Sequence, residues 1–291
     1  MERRGAQGED PAVPGRAPGH VATAAAPRRR RGLVLVPLLL LAVGAGWAVH
    51  VSDGDLASLV RPRAYVEIDG EAVAVPLPEP AQGRPLPAVP VTTSGSHAFL
   101  HTAPDGAPVG YDPCRPVRLV LRPDGMPEGG QALLDEAVAQ VQAASGLALV
   151  AVGTTDEPPL LERPLIQPER YGEGWAPVLV AWSDEATVPE LEGQVAGVGG
   201  SAAVPGADGA GTWLAAGRLV LDAEDIGGLL EREGGAAQAR AIVVHELAHV
   251  LGLDHVDDAG ELMHPVTSSR TDLGPGDRQG LALLGQVACE S

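Results

Sequence analysis

The sequence predicts an α+β fold preceded by a membrane-spanning helix, and three observations predict it. Val243, Leu247, Val250 and Leu251 recur at helical spacing after an alanine-rich run-up from Gly235, which marks one long helix. Short apolar stretches at residues 117–121, 147–152, 178–182 and 217–222 have the length and β-branched content of strands. Residues 32–51 are apolar apart from His50, and a run of about 20 such residues can cross a bilayer as a helix.

The amino-terminal elements come first. Residues 1–31 are rich in Pro, Gly, Ala and Arg without periodicity and read as a disordered basic tail. They end in Arg28, Arg29, Arg30 and Arg31, a block that stays cytoplasmic. Residues 32–51 then read as a signal anchor, giving a single-pass cell-membrane protein with its carboxyl-terminal domain outside. Gly46, Trp47 and Ala48 offer small residues for cleavage, so secretion after signal removal is the alternative. Residues 52–95 read as an extracytoplasmic stalk. Within them, residues 65–68 and 72–75 suit a small hairpin around Asp69-Gly70, and the six prolines of residues 76–90 suit an extended spacer. Residues 96–291 form the remaining domain.

Composition narrows what that domain can do. Aromatic residues are only 3% of the chain, so Ala, Val and Leu must fill the core. The net charge is −18; residues 1–31 hold seven arginines against three acids, leaving 13 arginines against 35 acids, a net of −22, in the rest. That excess excludes a nucleic-acid-binding role, which requires basic patches. It reads as a solvated acidic surface, with attraction of basic substrates or calcium as the alternative.

Within the domain, His97 and His101 stand four apart, but no third ligand accompanies them and the stretch reads as an incoming strand. Residues 117–121 alternate as a strand. Residues 131–145 form an amphipathic helix with Leu134, Val138 and Val141 on one face, closed by Gly146. Residues 147–152 return as a strand, residues 153–177 form a Pro-rich loop, and residues 178–182 form a strand buried on both faces. Residues 217–222 are the next strand. Asp222, Glu224 and Asp225 then read as a solvated acidic turn, with calcium binding as the alternative. Residues 277–284 close the domain as a helix through Leu281, Leu283 and Leu284.

The long helix carries the chemistry. Residues 245–255 read H-E-x-x-H-x-x-G-x-x-H. His245 and His249, four apart, share one helix face and can reach one metal ion. Gly252 ends the helix, because glycine adopts positive φ without a Cβ penalty, and the turn returns His255 as a third ligand. Three neutral imidazoles leave one tetrahedral position for water, the arrangement of a catalytic zinc site, with Glu246 beside it to handle the proton.

This motif, together with Leu262, Met263, His264 and Pro265 downstream, resembles the metzincins, and most closely the matrixin branch, the matrix metalloproteinase relatives. The wider region from about Tyr111 to Gly285 is similar to matrixin-like proteins of actinobacterial genomes. The resemblance implies a metzincin-like catalytic domain with a mixed twisted sheet, a long zinc-binding helix and a carboxyl-terminal helix. It implies one catalytic Zn2+ on His245, His249 and His255, Glu246 as general base, and Met263 as an apolar floor. Residues 195–205 become an edge strand above the cleft, where their glycines alone read equally as a flexible loop. Calcium is a feature of such relatives at acidic loops. Matrixins of vertebrates hold a second, structural zinc ahead of this helix; no histidine lies between His101 and His245, so none is expected here.

The function implied is endopeptidase hydrolysis of extracytoplasmic proteins or peptides. The rival is a membrane-anchored domain in which zinc only stabilises a binding scaffold. An intramembrane protease is excluded by Glu231, Arg232, Glu233, Arg240 and Asp254 around the helix. The two cysteines, Cys114 and Cys289, lie at the ends of the domain, and outside the cytoplasm an even count reads as a disulfide. The alternative is that Cys114 ligates the zinc and holds the enzyme latent.

Overall fold

A computed structural model of the chain describes residues 63–68, 70–266 and 270–290. The basic tail and the apolar run at residues 32–51 lie outside the described residues. Among those described, no helix is long and apolar enough to cross a membrane.

The elements form a mixed sheet with helices. After a hairpin, β1 (Tyr65–Ile68) and β2 (Glu71–Ala74), and a two-residue strand β3 (Ala98–Phe99), the main sheet begins with β4 (Val117–Arg122). It continues through α1 (Gly130–Ser145), β5 (Leu149–Thr154), α2 (Pro168–Tyr171), β6 (Val178–Ser183), β7 (Gly197–Pro205) and β8 (Thr212–Asp222). α3 (Ala223–Leu230), α4 (Gly235–Leu251), β9 (Leu253–Asp254) and α5 (Pro275–Leu284) complete the domain. The strand order is β5-β4-β6-β8-β7. The first four strands run parallel and β7 runs antiparallel to β8 at the edge. This is the mixed sheet expected of a metzincin-like domain.

Burial explains the layers. All six residues of β6 are buried, which is why its sequence is an uninterrupted apolar run rather than an alternation. α4 lies against α1 and along β7, and Ala239, Val243, Val244, Leu247, Ala248, Val250 and Leu251 are fully buried. Each large aliphatic side chain so buried contributes about 1.5–3 kcal/mol relative to exposure. With a single phenylalanine in the chain, these aliphatic contacts and Trp182, buried beside α1, make the core.

Several elements depart from the sequence reading. The strand after α1 begins at Leu149 rather than at residue 147, because Gly146 in left-handed conformation and a Ser145 hydroxyl accepting the Leu147 amide still belong to the helix exit. The loop at residues 153–177 is not featureless. It holds α2 and a bridge between Ile166 and Trp175. At its centre the Arg163 guanidinium meets both oxygens of Glu157 at 2.6 and 2.7 Å and donates to the carbonyls of Pro177 and Gly217. Tyr171 and Gln167 donate to the same carboxylate. β8 starts five residues earlier than expected.

The acidic stretch is no turn: Asp222 caps α3, its Oδ1 accepting the Asp225 amide at 2.8 Å. Asp222, Glu224 and Asp225 do not converge as a cation site among the described residues. The stretch expected to act as a spacer is strapped to the domain instead. Val75 is fully buried, Arg84 donates to the Gly146 carbonyl, Gln286 donates to the Val89 carbonyl, and the Gly95 amide donates to Gln279. Its prolines keep it extended, while its polar groups find partners on α5 and on either side of it, which a sequence pattern cannot show.

Candidate metal centre

The three histidines converge. The Nε2 atoms of His245, His249 and His255 lie 3.1–3.2 Å from one another. Two of the rings have their protons fixed from behind: Nδ1 of His245 donates to the Leu262 carbonyl and Nδ1 of His249 to the Leu253 carbonyl, each at 2.8 Å. A carbonyl can only accept, so both Nδ1 atoms carry the hydrogen and both Nε2 atoms present bare lone pairs to each other. Such a cluster calls for a cation. A tetrahedral zinc bound about 2.0–2.1 Å from each nitrogen needs nitrogens roughly 3.3–3.4 Å apart, so the donor set fits it with a small relaxation.

Electrostatics point the same way. Burial pulls the imidazoles of His245 and His249 down to about 4 and lowers His255 as well, so all three are neutral ligands at pH 7. The carbonyl partners of His245 and His249 work against that shift without overcoming it.

Backbone geometry delivers each ligand. Gly252 ends α4 at φ 115°, its amide donating to the carbonyls of Ala248 and His249 at 3.0 Å. The chain then reverses into β9, which pairs with β3, and the Leu100 amide donates to the Gly252 carbonyl. His255 emerges from this clasp. The stretch around His97 and His101 thus serves as the incoming strand and brings no ligand, since neither histidine joins the cluster. Met263 is 1% exposed. Its turn is held by Asp277, a buried carboxylate of α5 that accepts the amides of Leu262 at 2.6 Å, Gly274 at 2.7 Å and Met263 at 3.2 Å. Glu261, also buried, accepts the Gly276 and Asp277 amides at the start of α5. Sequence reading gave neither acid a role; the available signal was a pair of acids bracketing an apolar turn.

Glu246 lies on the next face of α4, beside β7. Burial pushes its carboxyl up to about 7, with the nearby Gly199 amide pulling the other way. β7 can come this close because it carries glycine here: a Cβ on Gly199 would overlap the Glu246 carbonyl, and one on Gly197 would stand 2.9 Å from the Glu246 Cγ. The residues expected as an edge strand above the cleft are therefore β7, with its free edge beside the histidines. A cavity of about 420 Å³ opens there, lined by His245, Glu246, His255, Leu100, Val195 and Arg270 among others.

Cys114 and Cys289 form a disulfide, with Cα atoms 5.5 Å apart, well removed in sequence from the histidine cluster. The thiol needed for zinc-ligated latency is therefore absent from Cys114.

With this geometry in view, comparison with known proteins gives one family. The Matrixin family model matches residues 189–284. That span is less than half the chain, but it takes in β7, the whole α4 motif, the Met263 turn and α5. Over it the chain is similar to zinc metallopeptidases. No curated protein matches the sequence. Among solved structures, high choriolytic enzyme 1, a hatching-enzyme zinc protease of the medaka fish Oryzias latipes, is similar at 12% identity, covering 66% of this chain and 94% of that chain. Its TM-score of 0.31 is too low to bear on fold or function.

Proposed function

We propose that this chain is a zinc-dependent endopeptidase. The observation that carries the reading is the meeting of three imidazole Nε2 atoms, two of them left with bare lone pairs because backbone carbonyls hold the ring proton on Nδ1, beside a buried glutamate in an open cleft. His245, His249 and His255 would hold the ion. Bound there, zinc would polarise a scissile carbonyl and acidify its water.

The remaining work falls to the chain's own groups. Glu246 takes the water proton and returns it to the leaving amine, a role suited to a carboxyl whose burial has brought it near neutrality. The free edge of β7 offers backbone donors and acceptors to an extended peptide. The Met263 turn, through Leu262, keeps the His245 ring aimed. Among the described residues none plugs the cleft, and His255 remains exposed at its mouth. A disulfide-tied domain suits an oxidising compartment, which supports placing it outside the cytoplasm. The apolar run at residues 32–51 would anchor it there, its substrates being extracytoplasmic proteins or peptides.

Glu246→Gln tests the reading. Zinc content should persist while peptide cleavage falls by about 10²–10⁴-fold. Cleavage at the wild-type rate would remove Glu246 from the mechanism, and the zinc would then be structural.

A further inference from the structure

A second cavity, of about 160 Å³, lies at the far end of β7 from the histidines and shares no lining residue with the cleft. Apolar side chains form most of its wall, including Tyr111, Trp175 and Trp213. Its rim carries five charged groups: Glu79, Asp112, Arg115, Arg118 and Glu290. Their pairing is uneven. Arg115 is paired with Asp112. Arg118 faces Glu79 at 3.8 Å and donates to the Trp175 carbonyl. The Glu290 carboxylate forms no ion pair among the described residues and accepts the Ala207 amide at 3.0 Å, while the Glu290 backbone carbonyl accepts the Arg115 guanidinium at 3.1 Å. Burial raises its carboxyl, helped by Asp112 and Asp208, and the Ala207 amide and the Arg115 charge offset this only in part, so a further cation would be favoured there.

Size and chemistry narrow the occupant. An apolar cavity near 150 Å³ accepts a ring the size of benzene. Aromatic side chains lining a pocket beside a carboxylate that has no ion pair among the described residues favour a positive nitrogen, through the ring quadrupole as well as through charge. We propose that this pocket binds a small organic cation, an amine or quaternary ammonium on an apolar body of about benzene size. The site is separate from the metal centre, so it stands or falls without the peptidase reading.

Three probes of one shape test it on the full chain: benzylamine, benzyl alcohol and benzoate, titrated against tryptophan fluorescence. Trp175 and Trp213 line this pocket and, among the described residues, no tryptophan lines the cleft, so the change lost in Trp213→Phe reports this site. Benzylamine should bind saturably and roughly 3- to 30-fold tighter than the alcohol. Benzoate should bind weakest. Glu290→Gln should erase the preference for the amine, and Trp213→Phe should diminish the fluorescence change. Equal affinity for the three probes, tightest binding of benzoate, or no saturable signal with benzylamine would each overturn the proposal. If Glu290→Gln does not fold, the ranking of the probes on the wild-type chain decides alone.

Discussion

Replacing Asp277 by asparagine should loosen metal binding at a site its side chain does not touch. The Asp277 carboxylate accepts the Leu262 and Gly274 amides through one oxygen and the Met263 amide through the other. An asparagine can keep its carbonyl on the first two but must then point an NH2 at the Met263 N–H. One hydrogen bond to a charged acceptor is lost, about 1.5–3 kcal/mol, and two donors are left facing each other inside the protein. The total cost should be roughly 2–4 kcal/mol of folding stability. The displaced turn carries the Leu262 carbonyl that orients His245, so zinc affinity should fall about 10- to 100-fold, the usual penalty for losing an outer partner of a ligand. Denaturant unfolding of the metal-free chain and competition against a chromogenic chelator measure the two effects. A variant that unfolds earlier yet binds zinc as tightly as wild type would show that the turn does not aim His245.

Other outcomes follow from single contacts. Gly199→Ala should force β7 away from α4, costing about 1–3 kcal/mol and lowering peptide cleavage at least tenfold while zinc content stays at wild-type level; unchanged kcat/KM would mean that the strand need not approach Glu246. Glu157 is pushed up by burial but pulled further down by Arg163, Tyr171 and Gln167, so its folded value lies below the unfolded one. Its stabilising effect is thus present above the unfolded value, about 4.3, and is lost as pH falls through the folded value. Urea midpoints of wild type should drop through that acid window more steeply than those of Glu157→Gln, and parallel curves would refute the assignment. Replacing both cysteines by serine frees a loop spanning 175 residues and should cost up to about 5 kcal/mol in the chain-entropy limit, read as a lower melting temperature; no change would mean that the unfolded chain gains nothing from the crosslink.

What could be read from the sequence was what local pattern determines. His245, Glu246, His249, Gly252 and His255 are fixed by helical spacing and one glycine, and the structure places them together. α1 and β6 follow from periodicity and from an uninterrupted apolar run. What could not be read depends on partners distant in the chain. α3 was hidden because its acids read as a turn until Asp222 is seen to cap it. The strap at residues 76–97 reads as spacer because its prolines announce extension and say nothing of docking on Gln279, Gln286 and Gly146. The Glu157–Arg163 pair and the Asp277 clamp are charges at ordinary-looking positions, and only burial reveals their roles. The second cavity joins residues from Pro76 to Glu290, a set no sequence window contains.

The measurement that bears most directly on the metal centre is the zinc stoichiometry and X-ray absorption spectrum of the purified full chain. One zinc per chain, with nitrogen scatterers at about 2.0–2.1 Å and loss of the ion in His249→Ala, is the expected result. A chain that folds without zinc and takes none up, or holds it equally well without His249, would contradict the three-histidine site.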